Sequence, residues 1–355
     1  MGEPIGVAVV GLNVGKAHLW AYQQLPERFR VVAVCDIDEG RAGRAAERNP
    51  GSVALTELAQ ICARDDIEVV NLCTPPGLHL DHIAQVLEAG KHVVCEKPLV
   101  GSLAAVDEVE RLEASSGRRV MPIFQYRWGR GLQRVKHLVE AGVAGSLNTS
   151  SVEVAWRRRA EYYSVPWRGT WAGELGGVLT SHAIHAIDML TYVVGPAERV
   201  FARTTTRVNP IETEDCAAAS LQMADGSLAT LVATLGSPEE ITRHRFNFTH
   251  LSAESGTAAY ESSGEPWTVT PDSPEALAAI EDAMEHFAPG HEGYVGQFDR
   301  FADSLRSGDD PPVTVADARA ALEMLTALYV SSREGVEVML PLPPDHPAYR
   351  GWTPT

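Results

Sequence analysis

The chain has 355 residues, 45% hydrophobic and 22% charged, which is the composition of an ordinary globular protein and more length than one core usually organises. Its formal net charge of −17 argues against nucleic acid and anionic membranes as partners and leaves small-molecule ligands open. Five cysteines (Cys35, Cys62, Cys73, Cys95 and Cys216) form no Cys-x-x-Cys pair, so neither a disulfide scaffold nor a metal site is expected. No apolar run approaches the roughly 18–20 residues that span a bilayer, and no basic and apolar leader opens the sequence. The expectation is a cytoplasmic protein.

Ile5–Val10, Val31–Cys35, Val69–Cys73 and His92–Cys95 are short, rich in β-branched residues and closed by turn residues, as buried parallel strands are. Between them Gly77–Glu88 has a helix pattern with Leu78, Ile83, Val86 and Leu87 inward, and Arg119–Ile123 supplies a last strand. This alternation predicts an α/β fold, a doubly wound parallel sheet over residues 1–123, because parallel neighbours need crossover connections. Beyond it the rhythm changes. Leu132–Ala141 reads as a helix, Leu147–Trp156 as a strand and Gly177–Val194 as a helix. Arg199–Thr206, Asp215–Met223, Ser227–Leu235, Arg243–Leu251 and Thr257–Glu261 then follow one another without helices, with turns such as Ala224-Asp225-Gly226. That predicts an antiparallel sheet. Tyr294–Arg306 and Val315–Ser332 close this second, α+β domain (residues 124–355), and the Pro-rich tail Leu340–Thr355 is expected on its surface.

The run from Val9 through Gly11, Leu12, Asn13, Val14 and Gly15 to His18 leaves a strand and enters a helix. Glycines there let the backbone approach a pyrophosphate, and the helix N-terminus offers N–H donors, which makes Gly11, Asn13, Val14 and Gly15 candidates for holding a dinucleotide in a Rossmann domain. The spacing is imperfect, because Asn13 stands where a second glycine is usual; Asn tolerates left-handed backbone better than most residues. Asp36 ends the next strand, where a carboxylate bonds the adenosine ribose and favours NAD. Lys16 and Arg41 leave NADP open. Thr74 and Pro75 begin a rigid turn at the same edge, and His79, one turn on, either caps its helix or contacts the cofactor.

Glu96-Lys97-Pro98 ends the strand His92–Cys95, and Lys97 is one of only four lysines. A partly desolvated ammonium there can exchange a proton with a substrate hydroxyl as hydride leaves carbon. A merely structural Glu-Lys pair is the competing reading. These features, with Gly176-Gly177-Val178-Leu179, His185, Asp188 and the tail motif His346-Pro347-x-Tyr349-Arg350-Gly351-Trp352, resemble the glucose-fructose oxidoreductase, inositol 2-dehydrogenase and rhizopine-catabolism (Gfo/Idh/MocA) family along essentially the whole chain. The resemblance implies a Rossmann domain joined to a domain with a large, open, mostly antiparallel sheet used for oligomer contacts, hence a homodimer or homotetramer. It also implies Lys97 and His185 as the acid/base residues.

Where relatives frequently carry Asp four residues before that histidine, this chain has Ser181, whose hydroxyl orients an imidazole less strongly. His182, His185 and Asp188 recur every three residues and are expected on one broad side of a helix. Trp167-Arg168-Gly169-Thr170-Trp171 offers rings that stack on sugars and a guanidinium fork, or else packs between domains; the resemblance puts Trp167 and Arg168 near the nicotinamide end. Gln125, Tyr126 and Arg127 follow the last Rossmann strand and are read as lining the same cleft, with Gln125 and Glu96 toward the cofactor. Tyr126, Arg127, Trp167, Ser181, His182 and His185 are read toward the substrate. The Arg157-Arg158-Arg159 run reads as a solvated face or an interface. The expected activity is hydride transfer between NAD or NADP and an alcohol of a carbohydrate-like substrate; a non-catalytic dinucleotide sensor and glycoside cleavage through transient oxidation are the alternatives.

Overall fold

The computed structural model of the chain describes residues 2–258 and 267–354. Its contacts define two compact units, residues 1–125 with 291–319 and residues 126–290 with 320–355.

The first unit holds one parallel sheet of six strands: β1 (Ile5–Val10), β2 (Phe29–Cys35), β3 (Val53–Leu55), β4 (Val69–Leu72), β5 (His92–Cys95) and β6 (Val120–Pro122). The order is β3-β2-β1-β4-β5-β6. Every residue of β1 and β4 is buried, as strands covered on both faces must be, and this is why they read as unbroken apolar runs. The strand order reverses between β1 and β4, and such a reversal opens a crevice at the carboxyl ends of the strands. Register aligns those ends: Val10 pairs with Cys35 and with Leu72, and Leu72 pairs with Cys95. Gly11, Asp36, Thr74 and Lys97 therefore leave the sheet along one edge.

Two features of this unit depart from the sequence reading. The short strand β3 carries too little apolar pattern to stand out, since Val53 and Ala54 are exposed. The helix Gly293–Ser307, read as part of the second domain, packs against the helix Gly15–Gln23 of the first unit. There Phe298 stacks on Tyr22 with ring centroids 4.3 Å apart. Local periodicity marks such a segment as a helix without saying which core it completes.

The second unit is built on eight strands: β7 (Leu147–Arg157), β8 (Ala197–Thr205), β9 (Cys216–Met223), β10 (Leu228–Thr234), β11 (Gly236–Phe248), β12 (Leu251–Ala258), β13 (Trp267–Pro271) and β14 (Val338–Met339). Their order is β13-β12-β11-β7-β10-β9-β8-β14. Among the described residues only the β7–β10 pairing is parallel. Alternation assigns the faces: in β10, Ala229, Leu231 and Ala233 are buried while Leu228 and Val232 stay exposed. The helix Ile184–Val194 packs on β7 and β11.

The sequence run Arg243–Leu251, read as one strand, is divided by a tight antiparallel turn at Thr249-His250. That turn contains none of the usual turn residues. It is fixed by Ser146, whose carbonyl accepts from Thr249 N–H and whose own N–H donates to the Thr249 hydroxyl. Of the candidate strand Thr257–Glu261, Thr257 and Ala258 end β12 and residues 259–261 lie outside the described residues.

The tail lies largely at the surface, with Pro341, Pro343, Pro344, Asp345 and Arg350 exposed, and is anchored by a few buried side chains. Trp352 is fully buried, and its indole donates to the carbonyl of Leu175. An aromatic body with one donor fills a core site when an acceptor meets the N–H. All five cysteines are unpaired. No helix among the described residues is long and apolar enough to cross a membrane.

Candidate active site

In the first unit the turn after β1 begins at Gly11, whose φ of +87° and approach to the Cys73 carbonyl leave no room for a side chain: a Cβ would sit 2.5 Å from that oxygen. Leu12 turns inward, Asn13 and Val14 are exposed, and Gly15 starts the helix. The turn thus presents backbone and a helix N-terminus outward, the arrangement that receives a pyrophosphate.

Asp36, 6% exposed, accepts from Leu12 N–H (2.9 Å), Asp38 N–H (3.0 Å) and Arg41 Nη1 (3.0 and 3.1 Å to its two oxygens). Burial pushes this carboxyl up, but the Asp38 and Leu12 amides and the Arg41 guanidinium outweigh it and hold it below the usual carboxylate range. The group is ionised at neutral pH and joins the glycine turn to the end of β2. Ile37, next to it, is 94% exposed. This exposed isoleucine was passed over in the sequence because it lies in no apolar pattern.

Thr74 and Pro75 form the turn after β4, with the Thr74 hydroxyl 3.1 Å from His82 Nδ1. His79 is neither helix cap nor exposed contact. It is fully buried, with Nε2 2.8 Å from the Thr74 carbonyl and Nδ1 3.0 and 3.1 Å from those of Pro98 and Leu99. Glu96 turns inward beneath Lys97. Its Oε1 meets His18 Nε2 at 2.9 Å and the Tyr294 hydroxyl at 3.1 Å, and its Oε2 accepts from Lys97 N–H at 3.0 Å. His18, with no exposed surface, continues to Asn71 Oδ1 at 3.1 Å. Neither His18 nor Tyr294 was singled out in the sequence: both meet the turn only through residues distant in the chain. Gln125 is 7% exposed, and its Oε1 is buried without a protein partner among the described residues, so it can accept from a bound amide. These residues fit a dinucleotide.

In the second unit, Leu175 adopts φ +60° and leads into Gly176-Gly177. Glu214 receives Gly177 N–H, Leu179 N–H and the Tyr329 hydroxyl, and a Cβ on Gly177 would stand 1.6 Å from the Glu214 carbonyl oxygen. A π-helical turn, Leu179–Ala183, follows and runs into the helix Ile184–Val194. His182 lies in this wider turn, and His185 and Asp188 lie in the α-helix that follows it. His182 Nε2 lies 2.6 Å from Arg158 Nη2, and its Nδ1 lies 2.8 Å from the Ser181 hydroxyl, which donates to the Gly177 carbonyl. His185, 6% exposed, faces the ring of Tyr126 at 4.7 Å. Asp188 takes both ends of the Arg127 guanidinium at 2.7 and 2.6 Å.

Arg127, read as lining a cleft, is thus committed to a buried ion pair, with side chains 3% and 1% exposed. Arg168 packs over Trp167 and Tyr162 and pairs with Glu174 at 3.0 Å. Within the basic run only Arg157 and Arg159 are exposed; Arg158 turns onto Trp156, Tyr162 and His182. Among the described residues no group of three or more His, Cys, Asp or Glu is placed to hold a metal ion.

Residues 5–124 match the family described as the oxidoreductase family with an NAD-binding Rossmann fold, and residues 132–254 match the GFO/IDH/MocA C-terminal domain. The chain belongs to this family. It is an oxidoreductase family with dehydrogenases among its members, and the first unit is its NAD-binding domain. The chain is 27% identical to the uncharacterized oxidoreductase sll0816 of Synechocystis sp. over 237 residues, spanning 62% of the length of each. It is 25% identical to the scyllo-inositol 2-dehydrogenase (NADP(+)) IolW of Bacillus subtilis over 82% of this chain and 84% of that one. The WlbA dehydrogenase of Bordetella pertussis, solved with NADH and UDP-GlcNAcA, superposes with a TM-score of 0.83 at 28% identity, covering 96% of this chain and 100% of that one.

Proposed function

We propose that the protein is an NAD(P)-dependent dehydrogenase or reductase that moves a hydride between nicotinamide and a secondary alcohol or ketone of a sugar, cyclitol or related polyol. The observation that carries this reading is the alignment of Gly11, Asp36, Thr74 and Lys97 along one sheet edge in a member of this family. The inositol dehydrogenase and the nucleotide-sugar complex among its relatives favour a carbohydrate-like substrate. When bound, the nicotinamide supplies the hydride acceptor or donor.

The rest falls to the chain's own residues. Gly11, Asn13, Val14 and Gly15 receive the pyrophosphate, Asp36 the adenosine ribose, and Thr74, Pro75 and Gln125 flank the nicotinamide half. Lys97 takes or returns the proton at the substrate hydroxyl and His185 assists. Tyr126, Trp167, Ser181 and His182 contact the substrate, whereas Arg127 acts through Asp188 beneath them.

The test is purified protein with NAD⁺ or NADP⁺ and a panel of cyclitols, aldoses and uronic acids, followed by nicotinamide absorbance. Lys97→Ala is expected to lower kcat by about 10²–10⁴-fold while NADH affinity is retained. Undiminished turnover in that variant refutes the assignment of Lys97.

A further inference from the structure

Two buried imidazoles grip the Glu96-Lys97-Pro98 turn from opposite sides. His18, from the helix Gly15–Gln23, meets the Glu96 carboxylate, which in turn accepts from Lys97 N–H. His79, from the helix His79–Glu88, meets the carbonyls of Pro98 and Leu99 with one ring nitrogen and that of Thr74 with the other. Carbonyl oxygens only accept. For both of its contacts to be hydrogen bonds, His79 must carry a proton on each nitrogen. A neutral ring would turn a lone pair on Thr74 or on the Pro98 and Leu99 carbonyls, a costly arrangement for a buried ring.

We propose that His79 is a positioning residue for Lys97: as an imidazolium it ties the Thr74-Pro75 turn to the Lys97-Pro98 turn, and on losing a proton it releases one of them. His18 braces the same turn through Glu96. The inference rests on the reading of Lys97 as the proton-transfer residue.

The surroundings of His79 set the balance. Burial outweighs the Thr74 and Pro98 carbonyls, Glu96 and the Leu99 carbonyl, and holds its imidazole below the ordinary value. The titratable groups whose charge bears on it are Glu96, from the end of β5, and His82, one turn along its own helix. Glu96 is faced by His18, by the Tyr294 hydroxyl from the helix Gly293–Ser307, and by the thiols of Cys73 and Cys95. Burial and Glu96 hold both thiols well above the ordinary cysteine range, so they stay uncharged. Glu96 is therefore the carboxylate whose charge bears on the His79 imidazole.

Lys97 can report this without a known substrate, since the chain has only four lysines. Acetylation of the full-length protein, read by mass spectrometry against Lys16 and Lys136, is followed from about pH 5 to 9 in wild type and His79→Gln. The expected result is a step of about threefold or more in the relative reactivity of wild-type Lys97, absent from the variant. A smooth lysine titration in the wild type overturns the proposal, and that arm needs no variant that folds. With a substrate in hand, His79→Gln is expected to lower kcat about 10–100-fold, leave KM and NADH affinity within about threefold, and remove the limb of the kcat profile, on the acid side of neutrality, where His79 loses its proton. An unchanged limb also overturns it. Turnover persisting in Lys97→Ala defeats only the functional reading, because the labelling step is independent of turnover.

Discussion

The Arg127–Asp188 pair gives the sharpest energetic prediction. Both side chains are almost wholly excluded from water and joined by two short parallel hydrogen bonds, and Arg127 also lies 4.9 Å above the Tyr192 ring. Asp188→Asn keeps the shape, removes the charge and turns an amide N–H group toward a guanidinium that only donates. Breaking one side of a buried pair costs about 3–5 kcal/mol, because the remaining charge is stranded. For a unit of this size each kcal/mol lowers Tm by about 2–4 °C, so the transition should fall by roughly 6–20 °C.

The functional consequence follows from position. Arg127 adjoins Tyr126 and Asp188 lies three residues beyond His185, so the pair pins the Tyr126 ring over the imidazole. Scanning calorimetry and a cycle with Arg127→Met and Asp188→Leu read the effect. The double variant, apolar and of similar volume, is expected to recover most of the stability that each single variant loses. NADH affinity should be unchanged, because Gly11 and Asp36 lie in the other unit. A coupling below about 1 kcal/mol would show that the pair is not what holds this segment to the helix.

Two further predictions concern charge. Asp36→Ser removes the anion that would repel a 2′-phosphate and frees Arg41, now bonded to both of its oxygens, to meet one. The ratio of NADPH to NADH affinity, read by fluorescence titration, is expected to rise about tenfold or more, and an unaltered ratio would remove Asp36 from the ribose. Glu214 tests pH dependence: burial raises its carboxyl from the ordinary 4.5 to about 7, against the pull of the Leu179 amide and the Tyr329 hydroxyl. The folded state holds that proton more tightly than the unfolded state, so this contribution to stability is full below about pH 4.5 and lost as pH rises through about 7. The loss amounts to about 3 kcal/mol. Urea unfolding at about pH 5 and 8 should show Glu214→Gln cutting the difference between the two by most of that amount, and an equal difference in both proteins would refute the assignment.

The residues legible from the sequence share a physical reason. Gly11, Asp36, Thr74 and Lys97 each end a buried strand, where an apolar run breaks into a residue whose chemistry differs from the pattern, and parallel register then brings such ends to one edge. Local pattern is enough to find them. Their supports leave no such mark. His18 reaches Glu96 across 78 residues, Tyr294 across 198, and Trp352 meets the Leu175 carbonyl across 177. At those separations a histidine, a tyrosine or a tryptophan reads as an ordinary helix or tail residue. Arg127 shows the same limit from the other side: its type and its place after the last Rossmann strand suggested a ligand contact, and only the partner 61 residues away shows its guanidinium committed to a carboxylate. His79 carries the argument furthest. Its spacing after Thr74-Pro75 made it conspicuous, but its meaning lies in the carbonyls of Pro98 and Leu99, which the sheet register delivers and no motif encodes. A strand-end pattern therefore identifies what can touch a ligand, and the long-range hydrogen bonds decide whether that group is free to do so or is holding another in place.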